Sequence, residues 1–253
     1  MITYNHESYI SEAIEGVLMQ NVDFDFELII ADDCSTDKTE QVVQNFIDNH
    51  PKGNLIKYKR HERNLGMMPN FVWALRMCKG DYVALCEGDD FWTYPFKLKT
   101  QVDFLNRHKE FSMTFHDSIF FATESKKKFS EKYLFLNSKI VFGCEDLLFY
   151  KWFVPTASMV FRRFDPPLWL KNINSGDFSV QLILSKMGDF YYFPSCWSNY
   201  RIHPFGQGRV INTYKKRLND IKFWWKYLPY LNRIVLARWY FSVWWRMNLR
   251  IKK

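Results

Sequence analysis

Tyr82-Val83-Ala84-Leu85 runs directly into Cys86-Glu87-Gly88-Asp89-Asp90-Phe91-Trp92. The first four residues read as a buried strand, and acidic residues crowd its end. Carboxylates gathered this closely repel one another unless a counterion sits among them. An oxygen-rich cluster of this kind suits a hard divalent cation, Mg2+ or Mn2+. In open α/β sheets, ligands bind beyond the carboxyl ends of the strands. The stretch therefore points to an α/β fold with a metal-assisted diphosphate site at its strand ends.

The residues upstream repeat the pattern. A short apolar run, Met1-Ile2-Thr3-Tyr4, precedes helical spacing at Tyr9, Ile10, Ala13, Ile14, Val17 and Leu18. Phe26-Glu27-Leu28-Ile29-Ile30-Ala31 reads as a strand that ends at Asp32-Asp33, and Ser35-Thr36-Asp37 offers capping groups to the next helix. Leu55 to Tyr58 forms a strand candidate, and Asn64-Leu65-Gly66 a loop. Pro69 suits the first turn of a helix, and another helix carries Leu98, Val102 and Leu105. This alternation to about residue 108 predicts a Rossmann-like, mostly parallel sheet flanked by helices. Beyond Cys144 a short helix (145–150), a strand (156–161) and a helix after Gly176-Asp177 are expected. Lys126-Lys127-Lys128 reads as a solvated loop or edge hairpin.

The chain has 253 residues, 47% of them hydrophobic and 19% aromatic, enough for one large core and against disorder. Its net charge of +8 favours anionic partners. Five scattered cysteines without CxxC spacing suit a reducing compartment and argue against a zinc site. Met1 to Gln20 carries Glu7, Glu12 and Glu15 and has no leader-like apolar core, and no run reaches the ~20 apolar residues of a membrane span. The expected location is cytoplasmic, peripheral to the inner face of the cell membrane.

Residues 209–253 differ in kind. Tyr214, Phe223, Trp224, Trp225, Tyr227, Trp239, Tyr240, Phe241, Trp244 and Trp245 are interleaved with Lys and Arg, and Pro229 divides the segment. A basic, aromatic helical tail suits an anionic membrane surface. It equally suits a helical pair packed on the preceding domain. Single-stranded RNA is a third partner for such composition, without a recognisable motif to support it.

Three strand-end motifs occur in a fixed order. They are Thr3-Tyr4-Asn5-His6, then Asp32-Asp33-Cys34-Ser35-Thr36-Asp37, then Lys79-Gly80-Asp81-Tyr82 leading to Glu87-Gly88-Asp89-Asp90. Asn64-Leu65-Gly66 lies between the last two. Gly176-Asp177, Gly188 and Tyr200-Arg201-Ile202-His203 follow. In this order the chain resembles the family-two inverting glycosyltransferases of the GT-A fold over residues 1–208, with the tail, 209–253, beyond it. The chain starts almost inside the first strand, where the family carries several more apolar residues, so that strand is expected to be shortened.

The resemblance implies a nucleotide-diphospho-sugar donor, a UDP-sugar by preference, and a glycan or lipid-linked acceptor. It implies donor contacts from Thr3, Tyr4 (stacked on the base), Asp33 (hydrogen-bonded to the base), Asn64, Asp89 (ribose or sugar) and Arg201. It implies metal contacts from Asp90 and His203, with Mn2+ or Mg2+ bound, and a general base at Asp177. The family often has aspartate where this chain has Glu87, which keeps the charge on a longer arm. The chemistry is sound without the name. A diphosphate leaving group gains charge that a cation stabilises, and an attacking hydroxyl must lose its proton to a base.

Each residue also has a plainer reading. Asp32-Asp33 and Asp89-Asp90 serve as turn residues in many proteins, and Asp177 caps a helix equally well. His203 is structural in the plainer reading, and Arg201 pairs with a core carboxylate. Trp152, Trp169 and Trp197 belong to the core more readily than to a sugar. Two rival functions stand beside the enzyme. One is a nucleotidyltransferase, which would be expected to show a Gly- and Lys-rich phosphate loop. The other is a non-catalytic module that binds the nucleotide-sugar; nucleic acid is not expected as a partner.

Overall fold

A computed structural model describes residues 1–122, 128–129, 139–150, 153–203 and 214–229, with 231, 233, 236–238 and 240–241 beyond them. The tripled lysine apart from Lys128, Trp152 and the tail tryptophans Trp239, Trp244 and Trp245 lie outside the described residues.

The N-terminal part follows the alternation read from the sequence. Strands β1 (Ile2–Thr3), β2 (Leu28–Asp32) and β3 (Ile56–Arg60) form a parallel sheet in the order β1-β2-β3. Helices α1 (Ile10–Leu18), α2 (Thr39–Asn49) and α3 (Met67–Met77) alternate with them. In α1 the buried set is Ile10, Ala13, Ile14, Val17 and Leu18, the i, i+3, i+4 stripe that drives an amphipathic helix onto a sheet. Ile10, Ile14, Val17 and Leu18, when fully buried, each contribute roughly 1.5–3 kcal/mol.

From β4 onward the sheet departs from the mostly parallel expectation. Strand β4 (Tyr82–Ala84) pairs antiparallel with β9 (Val160–Arg162), and β9 pairs antiparallel with β6 (Phe111–Ala122). Strand β10 (Asp189–Ile202) runs parallel to β6 and antiparallel to β5 (Phe91–Trp92) and β8 (Val141–Phe142). Strand β7 (Lys128–Phe129) adds to β6. Among the described residues this second sheet is therefore mixed. Ser198 and Asn199 of β10 pair with Trp92 and Phe91 of β5, and Tyr200 to Ile202 continue along β6. Register shifts between Phe193 and Ser198 bend β10, with Pro194 inside the irregular stretch.

Helices α4 (Lys97–Arg107), α5 (Cys144–Tyr150) and α6 (Gly176–Leu184) complete the domain. The expected 156–161 strand is a 3-10 turn, Thr156–Ser158, followed by β9. Helix α7 (Tyr214–Tyr227) covers α6, and its Ile221 and Trp224, with Leu228, Leu231 and Leu236 beyond, belong to the same buried cluster as Phe153, Phe178 and Phe190. The described part of 209–253 thus packs on the preceding residues, one of the three readings left open above. No helix among the described residues is long and apolar enough to cross a membrane. All five cysteines are free.

Candidate active site

The loop after β1 is laced to the loop after β2. Asn5 takes the left-handed conformation (φ 56°), which asparagine tolerates better than most residues. Its Oδ1 accepts from Thr36 N at 2.8 Å, and Asn5 N donates to Ser35 Oγ at 2.9 Å. His6 N donates to Thr39 Oγ1 at 2.9 Å, which fixes the backbone that carries the imidazole.

Asp32 and Asp33 serve this scaffold. Asp32 accepts from Ser35 N at 2.8 Å and from Tyr58 Oη at 2.7 Å. Asp33 accepts from Leu65 N at 2.7 Å and Gly66 N at 2.9 Å, so it ties down the 64–66 loop. Asn64 is exposed on that loop, and its Oδ1 accepts from Gly66 N at 3.0 Å. Tyr4 is also exposed, at the mouth of the same region.

The acidic turn after β4 is pressed onto the end of β1. Gly88 N donates to Ile2 O at 2.9 Å. A Cβ at Gly88 would lie 2.7 Å from Thr3 Oγ1 and 2.9 Å from His6 Nδ1, so only glycine fits. This contact buries Thr3 under the turn and brings Asp89 to His6.

Asp89 and Asp90 then diverge. Asp89 Oδ2 is 3.0 Å from His203 Nε2 and 4.0 Å from His6 Nε2. Ligand atoms of these three side chains lie within 4.8 Å of one another. That spacing is about twice a metal–ligand bond of ~2.1 Å, so one ion spans it. Asp90 is buried and its Oδ1 accepts from Arg201 N at 2.8 Å. The carboxylate gathered with His203 is thus that of Asp89, and Asp90 fastens the turn to β10. Arg201 has a bracing position as well. Its Nε donates to Asp89 O at 2.8 Å, its Nη2 donates to Glu12 Oε2 at 2.9 Å, and its guanidinium lies over the rings of Tyr9 and Phe91.

Electrostatics follow from this crowding. Burial pushes the Asp89 carboxyl up, but the His203 hydrogen bond and the two imidazoles outweigh it and leave it below the ordinary range. Burial holds the His6 imidazole low, against the pull of Asp89, so its neutral, metal-binding form persists to lower pH. Burial, then the charges of Asp89 and Glu87, push Asp90 well up. Burial, with the Asp89 and Asp177 carboxylates nearby, raises Glu87 to about 8. Burial and the same four carboxylates, Glu87, Asp90, Asp89 and Asp177, raise the Tyr200 hydroxyl.

Asp177 approaches the acidic turn through Thr156. It stands in the first turn of α6, and Thr156 Oγ1 donates to its Oδ2 at 3.3 Å. Thr156 and Glu87 line one pocket. Hydrogen bonds therefore join Asp89, His203, Arg201 and Asp90, while Asp177 is linked to the pocket beside Glu87 through Thr156. Tyr4, Asp33 and Asn64 sit along the adjoining β1–β2 side.

The chemistry of the donor set fits a divalent ion. Two imidazoles and one carboxylate are a mixed set, which suits Mn2+ better than the all-oxygen preference of Mg2+. His6 was quoted in the sequence motif without a role; its place at the end of β1, level with the acidic turn, is the signal that could have given one. Tyr200 was likewise quoted in a motif without a role, and Glu12 left no such mark. Trp169 stacks on Tyr227 with ring centroids 5.6 Å apart and Trp197 on Tyr94 at 5.1 Å, so both are engaged within the protein.

Residues 1–166 match the model of glycosyl transferase family 2. The chain belongs to this family. Among curated relatives of this chain, the uncharacterized protein Rv1520 of Mycobacterium tuberculosis is 33% identical over 227 residues, 88% of this chain and 62% of that protein. The chain thus spans less than two thirds of the length of that relative. The poly(ribitol-phosphate) beta-N-acetylglucosaminyltransferase TarS of Staphylococcus aureus is 36% identical over 111 residues, 42% of this chain and 18% of TarS. Two solved structures share the GT-A-like fold. The first is TarS 1–349 in complex with UDP-GlcNAc, with a TM-score of 0.61 and 17% identity over 87% of this chain and 64% of that one. The second is the mannosyltransferase PcManGT of Pyrobaculum calidifontis in complex with GDP-Man and Mn2+, with a TM-score of 0.65 and 16% identity over 87% and 61%. Family membership sets the nucleotidyltransferase alternative aside.

Proposed function

We propose that this chain transfers a sugar, with inversion, from a nucleotide-diphospho-sugar donor to a hydroxyl of a glycan or lipid-linked acceptor. The observation that carries this reading is the His6–Asp89–His203 group, with Asp177 bonded to Thr156, which lines a pocket with Glu87. One side of the site can hold the donor diphosphate through a cation, and the other can take a proton. UDP-sugars are the favoured donors, since a TarS structure of the same fold holds UDP-GlcNAc. A GDP-sugar is the competitor, given GDP-Man in PcManGT.

The cation, Mn2+ before Mg2+, would be held by His6, Asp89 and His203 and would stabilise charge on the departing diphosphate. Asp89 thereby takes the metal role that the sequence reading gave to Asp90. Asp90 and Arg201 keep the acidic turn and β10 in register. Tyr4, Asp33 and Asn64 would border the nucleoside, with Thr3 as the buried support of the turn. Asp177 accepts the proton of the attacking hydroxyl. Attack from the face opposite the leaving diphosphate inverts the anomeric centre, and one base suffices.

The outer side of α7 supports a peripheral location. Lys222, Trp225 and Lys226 are exposed at i, i+3, i+4 spacing, so they share one helix face. That face would rest on anionic lipid at the inner side of the cell membrane, where a lipid-linked acceptor is presented.

Nucleoside diphosphate release from UDP-GlcNAc, UDP-Glc, UDP-Gal and GDP-Man, with Mn2+, Mg2+ or chelator, tests the reading. Release with Mn2+ and its loss in chelator are expected. Asp177→Asn should lower turnover by roughly 10²-fold or more while donor affinity holds. Donor binding without turnover under every metal would instead favour a non-catalytic module. Full turnover in Asp177→Asn would remove the base.

A further inference from the structure

Residues 209–253 hold twelve Lys and Arg and one acidic residue, Asp220. That single carboxylate is fully buried, on the side of α7 that faces α6. Burying a carboxylate is costly unless hydrogen bonds replace its water. Here the bonds come from one turn. Asp220 Oδ1 accepts from Asn174 N and from Asn174 Nδ2, both at 2.9 Å. Its Oδ2 accepts from Ser175 N at 3.0 Å. Asp177 follows two residues later.

The turn has no cap of its own. Ser175 occupies the N-cap position of α6 and its side chain makes no capping bond. The Asp220 carboxylate does from another helix what a capping side chain does locally, and as an ionised acceptor it does so more strongly. A second tie lies one turn on. Trp224 Nε1 donates to Ser179 Oγ at 2.9 Å, and the Trp224 ring lies 5.2 Å from that of Phe178. From the opposite side α3 closes in. A Cβ on Gly176 would come within 2.5 Å of Met68 Cε and Sδ. The backbone on either side of Asp177 is therefore gripped by α7 and α3.

We propose that Asp220 is a positioning residue for proton removal from the acceptor: anchored in α7, it fixes the 174–176 turn and so sets where the Asp177 carboxylate stands. This rests on the reading of Asp177 as general base. Displacing a reacting group by about 1 Å can cost on the order of 10² in rate without loss of substrate binding. Asp220 is fully buried against the 174–175 turn, so its loss should appear in kcat and not in donor KM.

The test measures diphosphate release by the full chain with Mn2+ and whichever of UDP-GlcNAc, UDP-Glc, UDP-Gal and GDP-Man is turned over fastest, and UDP affinity by calorimetry. Asp220→Asn places a donor group against the Asn174 and Ser175 N–H groups. It should lower kcat roughly tenfold or more, with donor KM and UDP affinity within about twofold. Trp224→Phe keeps an aromatic ring buried, removes the tie to Ser179 and trims some core volume; it controls for helix docking and should stay within about threefold of the parent kcat. A folded Asp220→Asn chain with parental kcat overturns the proposal. So does an equal loss of kcat and UDP affinity in both variants, which marks a structural role alone. If Asp220→Asn does not fold, Asn174→Ala decides. It removes one of the bonds that the turn gives Asp220, and a drop of about threefold in kcat at constant KM supports the proposal, whereas none overturns it. Asp177→Asn separates the two readings. Parental kcat in that variant removes the base itself; a dead Asp177→Asn beside a parental Asp220→Asn removes only the role of Asp220.

Discussion

Asp89 and Asp90 differ by one position, and their carboxylates meet different partners. Asp89 reaches His6 and His203, while Asp90 folds inward onto the Arg201 amide. The separation depends on Gly88, which lets the turn lie against Thr3 and His6. If His6 contributes a ligand atom, His6→Ala should weaken Mn2+ binding by roughly tenfold or more and Mg2+ binding less, since an imidazole favours the transition metal. Titration of free Mn2+ by electron paramagnetic resonance reads this directly, and unchanged Mn2+ affinity removes His6 from the set. The sequence displayed every residue of this cluster and did not sort their roles. Adjacent carboxylates are equivalent in a sequence, and which one turns outward is decided by a contact between residues 88, 3 and 6. His203 could be picked out because Tyr200-Arg201-Ile202-His203 resembles a family motif; His6 lay in plain view at another strand end. Asp220 was illegible, because a lone acid in a basic helix reads as solvated until its burial is known.

Elements were more legible than their partners. The repeating helix and strand pattern to residue 108 anticipates β1, β2 and β3 and the helices between them, since each strand pairs with a neighbour close in sequence. The second sheet joins β4 to β9 and β6 to β10, strands separated by long stretches of chain. Periodicity marks where a strand lies and is blind to such distant pairing, so the mixed direction of this sheet had no local signal. Helix α4 hides a similar surprise. Its first residue, Lys97, is fully buried, with no hydrogen-bond partner for Nζ and the Trp92 ring 4.1 Å away. Burial brings its pKa down to about 7. The unfolded chain therefore takes up a proton below about 10.5, the ordinary lysine value, that the folded chain refuses until pH 7. Stability should fall as pH drops through that window and level off below it. Lys97→Met should flatten the slope and raise stability at pH 7 by roughly 1–3 kcal/mol. Urea unfolding from pH 6 to 10 checks both, and an unchanged slope would show the amine to be charged throughout.

On the scale of the molecule, charge and packing divide the tail helix. Ile221 and Trp224 enter the core with Asp220 beside them, and Lys222, Trp225 and Lys226 face outward. The basic aromatic composition read from the sequence thus serves two surfaces at once, which composition alone could not separate. Because α7 covers part of the core, deleting it would test folding and not membrane binding. Lys222→Gln with Lys226→Gln leaves the buried side intact. At ~1 kcal/mol per cation near an anionic surface, the pair should weaken binding to phosphatidylglycerol vesicles by roughly tenfold or more. Equal co-sedimentation of parent and double variant, or parental binding to purely zwitterionic vesicles, would count against the membrane face.

The His6–Asp89–His203 group also joins distant stretches of chain. One imidazole follows the first strand and the other follows the last, so an ion held between them would rivet the parallel sheet to the mixed one. Such a rivet ties occupancy to the integrity of the whole α/β body. The loading of the donor's counterion and the final closure of the fold would then be two descriptions of a single equilibrium.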